Sequence, residues 1–172
     1  MNIFLDLDNT ILSSEEKNKI DPNIFSGNDP FYVLNKNCYE FDPYIIFERP
    51  NLDIFLDFLF KNFNVSIWTA ATKDYAMFII KKVILKKKNY NLKTILFYEN
   101  TNHVDCKDLS YLWNVWECKE FNKHNTIIID DLEQVCKKNY YNHININYFD
   151  YKNIKDDELN TIMDILKNNY LK

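Results

Sequence analysis

The chain is short of glycine, paired cysteines, long apolar segments and excess positive charge, and each shortage argues against a class of protein. One glycine, Gly27, stands among 172 residues, beside many asparagines. Because asparagine tolerates left-handed backbone better than other non-glycine residues, it is expected at turns in place of glycine. The cysteines form no CxxC pair, so neither a zinc site nor a disulfide framework is indicated. They are Cys38, Cys106, Cys118 and Cys136.

No uncharged stretch is long enough to span a bilayer, and the first apolar run is too short and too acidic for a signal peptide. A net charge of −4 gives no general attraction to nucleic acid or to anionic membranes. Together with unpaired thiols, these features predict a soluble intracellular protein of the cytoplasm or nucleus. An apolar fraction of 47% predicts a packed core, and 172 residues suit one domain spanning 1–172.

The most informative stretch is the apolar run over residues 1–12, which predicts a buried strand and carries two aspartates, Asp6 and Asp8. Residues two apart in a strand point to the same side, so both carboxylates converge where the strand ends. Two such carboxylates backed by apolar residues are costly unless a cation is bound. The alternative is a strand-to-turn transition in which aspartate and asparagine make turn hydrogen bonds.

Further along the chain, apolar strands alternate with helical periodicity, which predicts a parallel sheet covered on both faces. Residues 13–30 are polar and predict a loop, and residues 31–48 are aromatic and predict a hairpin. Further strands are predicted over 64–69, 94–98, 126–129 and 144–148. Helices are predicted over 52–63, 73–87, 107–116 and 156–169.

Polar groups stand where three of these strands end. Asp6 and Asp8 follow the first strand, Thr69 follows the second, and Asp130 and Asp131 follow the fourth. Ligands of open parallel sheets bind beyond the carboxyl ends of the strands. The sequence therefore predicts one site at this edge.

The run DLDNT, a strand ending in Thr69, a following lysine and a strand ending in Asp130-Asp131 resemble the haloacid dehalogenase superfamily of phosphatases and phosphotransferases. Finer segments resemble one branch, the Nuclear LIM-interactor-interacting-factor family, which includes small phosphatases of the RNA polymerase II C-terminal domain. These segments are ERPNLDIFLDFL, WTAATKDYA, KDLSYL and DDELNTIMDIL. The resemblance implies a three-layer, Rossmann-like α/β fold, with a central parallel sheet of about five strands. Residues 13–48 are predicted to form a small loop and hairpin insert, and the rest of the chain is taken up by the core and the last helix, so no large cap domain is expected.

The resemblance also implies roles for the two aspartates. Asp6 would be the nucleophile that forms an aspartyl-phosphate, and Asp8 would be the general acid and base. Mg²⁺ would be the cofactor, because it prefers oxygen ligands. Asp6, the backbone carbonyl of Asp8 and Asp130 would supply its protein ligands, with Asp131 as a second-shell or alternative ligand.

The remaining groups of the implied site bind phosphate. Thr69 and the backbone N–H of Ala70 would hold phosphoryl oxygens, and Lys107 would neutralise charge in the transition state. Thr10 is expected to brace the loop by hydrogen bonding. The chain departs from the family pattern at Tyr98, where arginine is usual, and at Leu132-Glu133, where Ser-Pro is common.

These inferences predict a Mg²⁺-dependent phosphoserine/phosphothreonine protein phosphatase with a phosphorylated protein as substrate. One alternative is a phosphatase of a small molecule or of a nucleic-acid terminal phosphate, against which the acidic pI counts. Another is a catalytically silent binding module. His103, His124 and His143 are expected at the surface, and Tyr75 is expected to pack in the core.

Overall fold

The computed structural model describes residues 1–25, 38–86, 90–101 and 106–171. Their strands are β1 (Asn2–Leu5), β2 (Leu12–Glu16), β3 (Cys38–Phe41), β4 (Tyr44–Glu48), β5 (Asn64–Trp68), β6 (Ile95–Leu96), β7 (Thr126–Asp130) and β8 (His143–Asn145). Their α-helices are α1 (Leu52–Asn62), α2 (Lys73–Ile79), α3 (Tyr98–Thr101), α4 (Ser110–Asn114), α5 (Glu133–Lys138) and α6 (Glu158–Tyr170).

The central sheet has five parallel strands in the order β6-β5-β1-β7-β8, with β1 in the middle. Leu5 pairs with Ile67 of β5 on one side and with Ile129 of β7 on the other. Every residue of β1 is buried, which explains why it reads as a continuous apolar run rather than an alternating one. The predicted parallel sheet of about five strands is confirmed.

Alternation along β1 divides the core into two layers, one on each face of the sheet. Ile3 and Leu5 belong to the larger cluster, which also contains the buried faces of α1, α2 and α6. Phe4 points the other way, into a second cluster with Trp68 and Ile128. Helices on both faces of a parallel sheet give the three-layer architecture that the sequence predicts. No helix within the described ranges is long and apolar enough to cross a membrane.

The insert after β1 is a separate antiparallel sheet of three strands in the order β2-β4-β3. The predicted loop over 13–30 was wrong at its beginning, because Leu12–Glu16 pairs along β4. Its sequence, LSSEE, has little strand propensity, and pairing with the aromatic strand β4 overrides that preference. The predicted hairpin is confirmed for β3 and β4, whereas residues 26–37 lie outside the described part of the chain.

Several elements are shorter in the structure than the sequence predicts. The strand predicted over 94–98 is limited to β6, and Tyr98 begins α3 instead; the strand predicted over 144–148 is limited to β8. These two are the edge strands of the sheet, so each has a single neighbour to pair with. The helix predicted over 107–116 is limited to α4, and the one predicted from residue 73 continues beyond α2 as a π-helix, Ile80–Ile84.

Asparagine takes left-handed backbone at two turns of the chain. Asn9 has φ 60° and Asn51 has φ 66°, so the expectation for a glycine-poor chain is confirmed at these positions. Asn9 lies in the loop after β1, and Asn51 immediately precedes α1. Both conformations are costly for most other non-glycine residues.

A buried ion pair ties three distant segments together. The Arg49 guanidinium donates to both carboxylate oxygens of Asp156, at 2.7 and 2.9 Å, and to the backbone carbonyl of Thr10 at 2.8 Å. It also lies over the ring of Phe149, 5.2 Å from the centroid. Arg49 thereby joins the end of the small sheet, the approach to α6 and the loop that carries Asp8.

We predict that Arg49→Met lowers the free energy of unfolding by about 3–5 kcal/mol, because Asp156 keeps a buried charge without its partner. Urea denaturation followed by circular dichroism measures the change. Lys137→Met, which removes the exposed pair with Glu133, is the matched control and is expected to leave the midpoint nearly unchanged. Equal midpoints for the two variants would contradict the assignment of Arg49 as a structural anchor.

Candidate active site

The site forms where β1, β5 and β7 end at the same edge of the sheet. Asp6 follows β1, and its backbone N–H donates to the carbonyl of Ile129 at 3.1 Å. Thr69 follows β5 and is held by a 3.0 Å bond from its N–H to the carbonyl of Leu96. A cavity of about 270 Å³ opens at this edge. It is lined by Asp6, Asp8, Asn9, Thr69, Ala70, Ala71, Lys107, Asp131 and Leu132.

Lys107 lies between two of the buried carboxylates. Its Nζ is 2.5 Å from Oδ1 of Asp6 and 2.6 Å from Oδ2 of Asp130. The segment that carries it is fixed by buried Asn139, whose side chain donates to the Lys107 carbonyl at 2.7 Å and accepts from the Leu109 N–H at 2.9 Å. Sequence reasoning missed Asn139, because an asparagine after a short helix carries no signal that distinguishes it from a turn residue.

Three carboxylates come close enough together to share a cation. Asp6, Asp130 and Asp131 each place an oxygen within 4.8 Å of the others. Asp130 is completely buried, and its oxygens are engaged by Lys107 and, at 2.9 Å, by the N–H of Leu132. Asp131 is half-buried and lines the cavity, with Oδ1 accepting from the Thr10 hydroxyl at 3.0 Å. Asp131 therefore offers the more open carboxylate, and Thr10 orients it.

The carboxylate of Asp8 is held by two hydroxyl groups. Its Oδ1 accepts from the Tyr75 hydroxyl at 2.6 Å and from the Ser14 hydroxyl at 3.0 Å. Tyr75 is buried in the core, as predicted, and its hydroxyl also reaches the site. The helical spacing of apolar residues predicts that the ring of Tyr75 packs in the core. It does not predict which group the hydroxyl at the end of the same side chain contacts.

Thr69 and Ala70 form the side of the cavity opposite the aspartates of β7. The Thr69 hydroxyl is buried and accepts from the N–H of Ala71 at 3.0 Å, which fixes its orientation. Ala70 is exposed and has a side chain too small to obstruct its backbone. The turn between β5 and α2 thus presents a hydroxyl and a bare stretch of backbone to the cavity.

Burial dominates the electrostatics of the site. It raises the pKa of Asp6 to about 7, with Lys107 opposing the shift and the charge of Asp130 adding to it. Burial also raises the pKa of Asp8, against the hydrogen bonds from Tyr75 and Ser14. For Lys107 burial lowers the pKa, but Asp6 and Asp130 outweigh it and the pKa is raised. Lys107 is therefore a permanent cation in this site.

Neither of the two histidines within the described residues, His124 and His143, lines the cavity. His124 is exposed, as predicted. His143 was wrongly predicted to lie at the surface, because it is half-buried with Nε2 3.1 Å from the backbone carbonyl of Asp130. Burial lowers its pKa. His103 lies outside the described residues.

Comparison with known proteins agrees with this geometry. The pattern of NLI interacting factor-like phosphatases matches residues 1–171. The chain belongs to that family. This NLI interacting factor-like chain is 40% identical, over 96% of both sequences, to the putative CTD phosphatase-like protein 355R of Invertebrate iridescent virus 6. It is 32% identical to the protein of the same name from Invertebrate iridescent virus 3, over 90% of the chain and 88% of the relative.

Solved structures of the RNA polymerase II CTD phosphatase Fcp1 share the fold of this family member. One superposes with a TM-score of 0.71 at 18% identity, over 97% of the chain and 50% of Fcp1. The fission yeast R271A variant of Fcp1, described as bound to beryllium fluoride, superposes with a TM-score of 0.67 at 18% identity. The match covers 97% of this chain and 51% of the Fcp1 chain. The chain thus spans about half the length of these structures. The predicted haloacid dehalogenase fold is confirmed.

We predict that Asp6→Asn raises the free energy of unfolding of the metal-free protein by about 1–2 kcal/mol at pH 8, and by less at pH 5. Between the ordinary aspartate pKa of 3.8 and the folded value of about 7, the unfolded chain loses a proton that the folded protein keeps. Stability therefore falls as pH rises through this window, and asparagine removes the loss.

Denaturation with a chelator at the two pH values measures this difference. Asp164→Asn, at an exposed position on α6, is the control and is expected to show the same small effect at both. An Asp6→Asn variant that is less stable than wild type at pH 8 would contradict the predicted cost of the buried charge.

Proposed function

We propose that the chain is a Mg²⁺-dependent phosphoprotein phosphatase that hydrolyses phosphoserine and phosphothreonine through an aspartyl-phosphate on Asp6. The observation that carries this proposal is the convergence of four groups on one cavity. Asp6, Asp8, Thr69 and Lys107 all line it, although they come from distant parts of the sequence. A carboxylate nucleophile, a carboxylic acid, a hydroxyl and an ammonium group are the set that phosphoryl transfer requires.

In the first half-reaction, a carboxylate oxygen of Asp6 attacks phosphorus, and the bond from phosphorus to the seryl or threonyl oxygen breaks. Asp8 donates its proton to that oxygen, so the product leaves as an alcohol. In the second half-reaction, Asp8 takes a proton from water, whose oxygen attacks the phosphorus of the aspartyl-phosphate. Inorganic phosphate leaves, and the Asp6 carboxylate is restored with Asp8 again protonated.

Hydrogen-bond donors on two sides of the cavity stabilise the charge on the transferring phosphoryl group. The Lys107 ammonium lies beside Asp6, so it is within reach of oxygens on the phosphorus that Asp6 attacks. The Thr69 hydroxyl and the Ala70 backbone provide neutral donors from the turn after β5. Because these groups are fixed before the substrate arrives, they stabilise the transition state without reorganisation.

The carboxylate cluster fits a magnesium ion, because its ligands are all oxygen atoms held close together. Asp6, the backbone carbonyl of Asp8 and Asp131 would hold it, while Asp130 anchors Lys107. Asp130 remains the alternative third ligand, as inferred from the family resemblance. Bound Mg²⁺ supplies positive charge that offsets the phosphate and the nucleophile.

Family membership and the names of the relatives support a protein substrate. The family is described as phosphatases, and the iridescent virus relatives are named CTD phosphatase-like. Tyr98 is half-exposed beside the site, and its N–H donates to the carbonyl of Ala71 at 3.0 Å. Because this side chain is aromatic where related phosphatases usually carry arginine, we expect the preferred phosphopeptides to differ from theirs.

We predict that wild type hydrolyses phosphoseryl and phosphothreonyl peptides faster than nucleotides or sugar phosphates, and that a chelator stops the reaction. Asp6→Asn is expected to lower kcat by about 10⁴-fold or more, because the amide cannot form the covalent intermediate. Release of inorganic phosphate measures both, with Asp164→Asn as a matched control. Activity that survives Asp6→Asn would exclude the mechanism, and faster hydrolysis of nucleotides would replace the proposed substrate class.

We predict that Asp131→Asn raises the Mg²⁺ concentration that stabilises the protein half-maximally by about tenfold, because one negative ligand is lost. Thermal unfolding against Mg²⁺ concentration measures this shift without any substrate. Asp130→Asn is expected to leave that Mg²⁺ concentration nearly unchanged, because the Asp130 carboxylate is fully buried and engaged by Lys107 and by the N–H of Leu132. If Asp130→Asn changes the Mg²⁺ requirement and Asp131→Asn does not, Asp130 is the ligand.

A further inference from the structure

The hydroxyl groups of Tyr75 and Ser14 stand out because the mechanism above does not use them, although both contact the general acid. The geometry points to Tyr75 and Ser14 as positioning residues that fix which oxygen of Asp8 delivers the proton to the leaving group. This inference rests on the proposed function and adds a role that neither residue has in it.

Both hydroxyls donate to the same oxygen of Asp8. The Tyr75 bond to Oδ1 is 2.6 Å long, and the Ser14 bond to the same atom is 3.0 Å long. No other side chain among the described residues donates to this carboxylate, and Asp8 lines the cavity. An oxygen that already accepts two hydrogen bonds is poorly suited to carry the proton. The proton of the neutral acid is therefore placed on Oδ2.

The two hydroxyls come from different sides of Asp8. Ser14 is in β2 and is held in register opposite Ile46 of β4. Tyr75 is in α2, one turn after the phosphate-binding segment of Thr69 and Ala70. Asp8 is consequently clamped between the small sheet and the helix that follows the phosphate side of the cavity. Rotation of its carboxylate would break two hydrogen bonds at once.

The small sheet also holds the ring of Tyr75. Phe41 of β3 contacts that ring edge-on at 5.4 Å between centroids, and Tyr44 of β4 does so at 6.4 Å. Since the ring is buried between these neighbours, its hydroxyl has one direction in which to point. The insert after β1 thus supports the acid through Tyr75 as well as through Ser14.

A residue that acts through the general acid has a distinctive kinetic effect. Proton donation matters most when the leaving group is a strong base, such as the alkoxide of phosphoserine, and little when it is a stable anion such as 2,4-dinitrophenolate. The parameter kcat/KM reports the first half-reaction, in which the leaving group departs. Loss of Tyr75 or Ser14 as positioning residues therefore makes kcat/KM depend more steeply on the leaving group.

The experiment compares wild type, Tyr75→Phe and Ser14→Ala on three substrates with saturating Mg²⁺. These are 2,4-dinitrophenyl phosphate, phenyl phosphate and a phosphoseryl peptide, in order of increasing leaving-group basicity. We expect Tyr75→Phe to lower kcat/KM by about tenfold on the two basic leaving groups and by less than about twofold on dinitrophenyl phosphate. Ser14→Ala is expected to show the same pattern with a smaller loss.

The matched control is Tyr39→Phe, which removes a tyrosine hydroxyl bonded at 2.7 Å to the carboxylate of Glu48, away from the cavity lining. It is expected to leave all three rates unchanged. Retained activity on dinitrophenyl phosphate shows that each variant is folded and can form the aspartyl-phosphate.

Equal losses on all three substrates, or a change confined to KM, would overturn the positioning role and make Tyr75 a binding or packing residue. The same holds if neither variant changes any rate. If wild type hydrolyses none of the three substrates, the proposed phosphatase function fails first, and the inference fails with it. The two failures are therefore distinguishable from the wild-type rates alone.

Discussion

The Lys107 ammonium is the charge on which the site depends, because it lies between the buried carboxylates of Asp6 and Asp130. Two carboxylates in an apolar surrounding repel each other, and burial together with the charge of Asp130 raises the pKa of Asp6 to about 7 even though Lys107 opposes the shift. One cation shared between them lowers that cost while leaving Asp131 open to the cavity. In the proposed mechanism, the nucleophile, the metal ligands and the charge of the phosphate all lie around this one side chain, whose backbone is fixed by Asn139.

The fold could be predicted from the sequence wherever buried positions require apolar residues. Strand β1 and helix α1 carry apolar residues at the positions that face the core, so both elements could be predicted from the spacing of these residues. Strand β2 was not, since LSSEE forms a strand only because β4 offers it a partner. Short edge strands such as β6 were overextended for a related reason, because a single neighbour limits their pairing.

The site was predictable where an acid, a hydroxyl or an amine stands at a strand end or in a family segment. Asp6, Asp8, Thr69 and Lys107 fall under that description, and the structure brings them to one cavity. The roles of these residues remain a proposal. Contacts such as those of Tyr75 with Asp8 and Asn139 with Lys107 were out of reach, because they depend on the mutual placement of elements far apart in sequence.

The pairing of β1 has a consequence for synthesis of the protein on the ribosome. Strand β1 is made before both of its partners, because it pairs with residues that begin at Asn64 on one side and at Thr126 on the other. Arg49 likewise gains its ion-pair partner only after Asp156 has been made. A nascent chain that has emerged only as far as α4 contains β5 but lacks β7. One edge of β1, with its apolar residues Ile3, Phe4 and Leu5, is then unpaired and is a template for aggregation. Chaperone binding to this strand, and a yield that depends on translation rate, are the expected consequences of a central strand that is made before both of its neighbours.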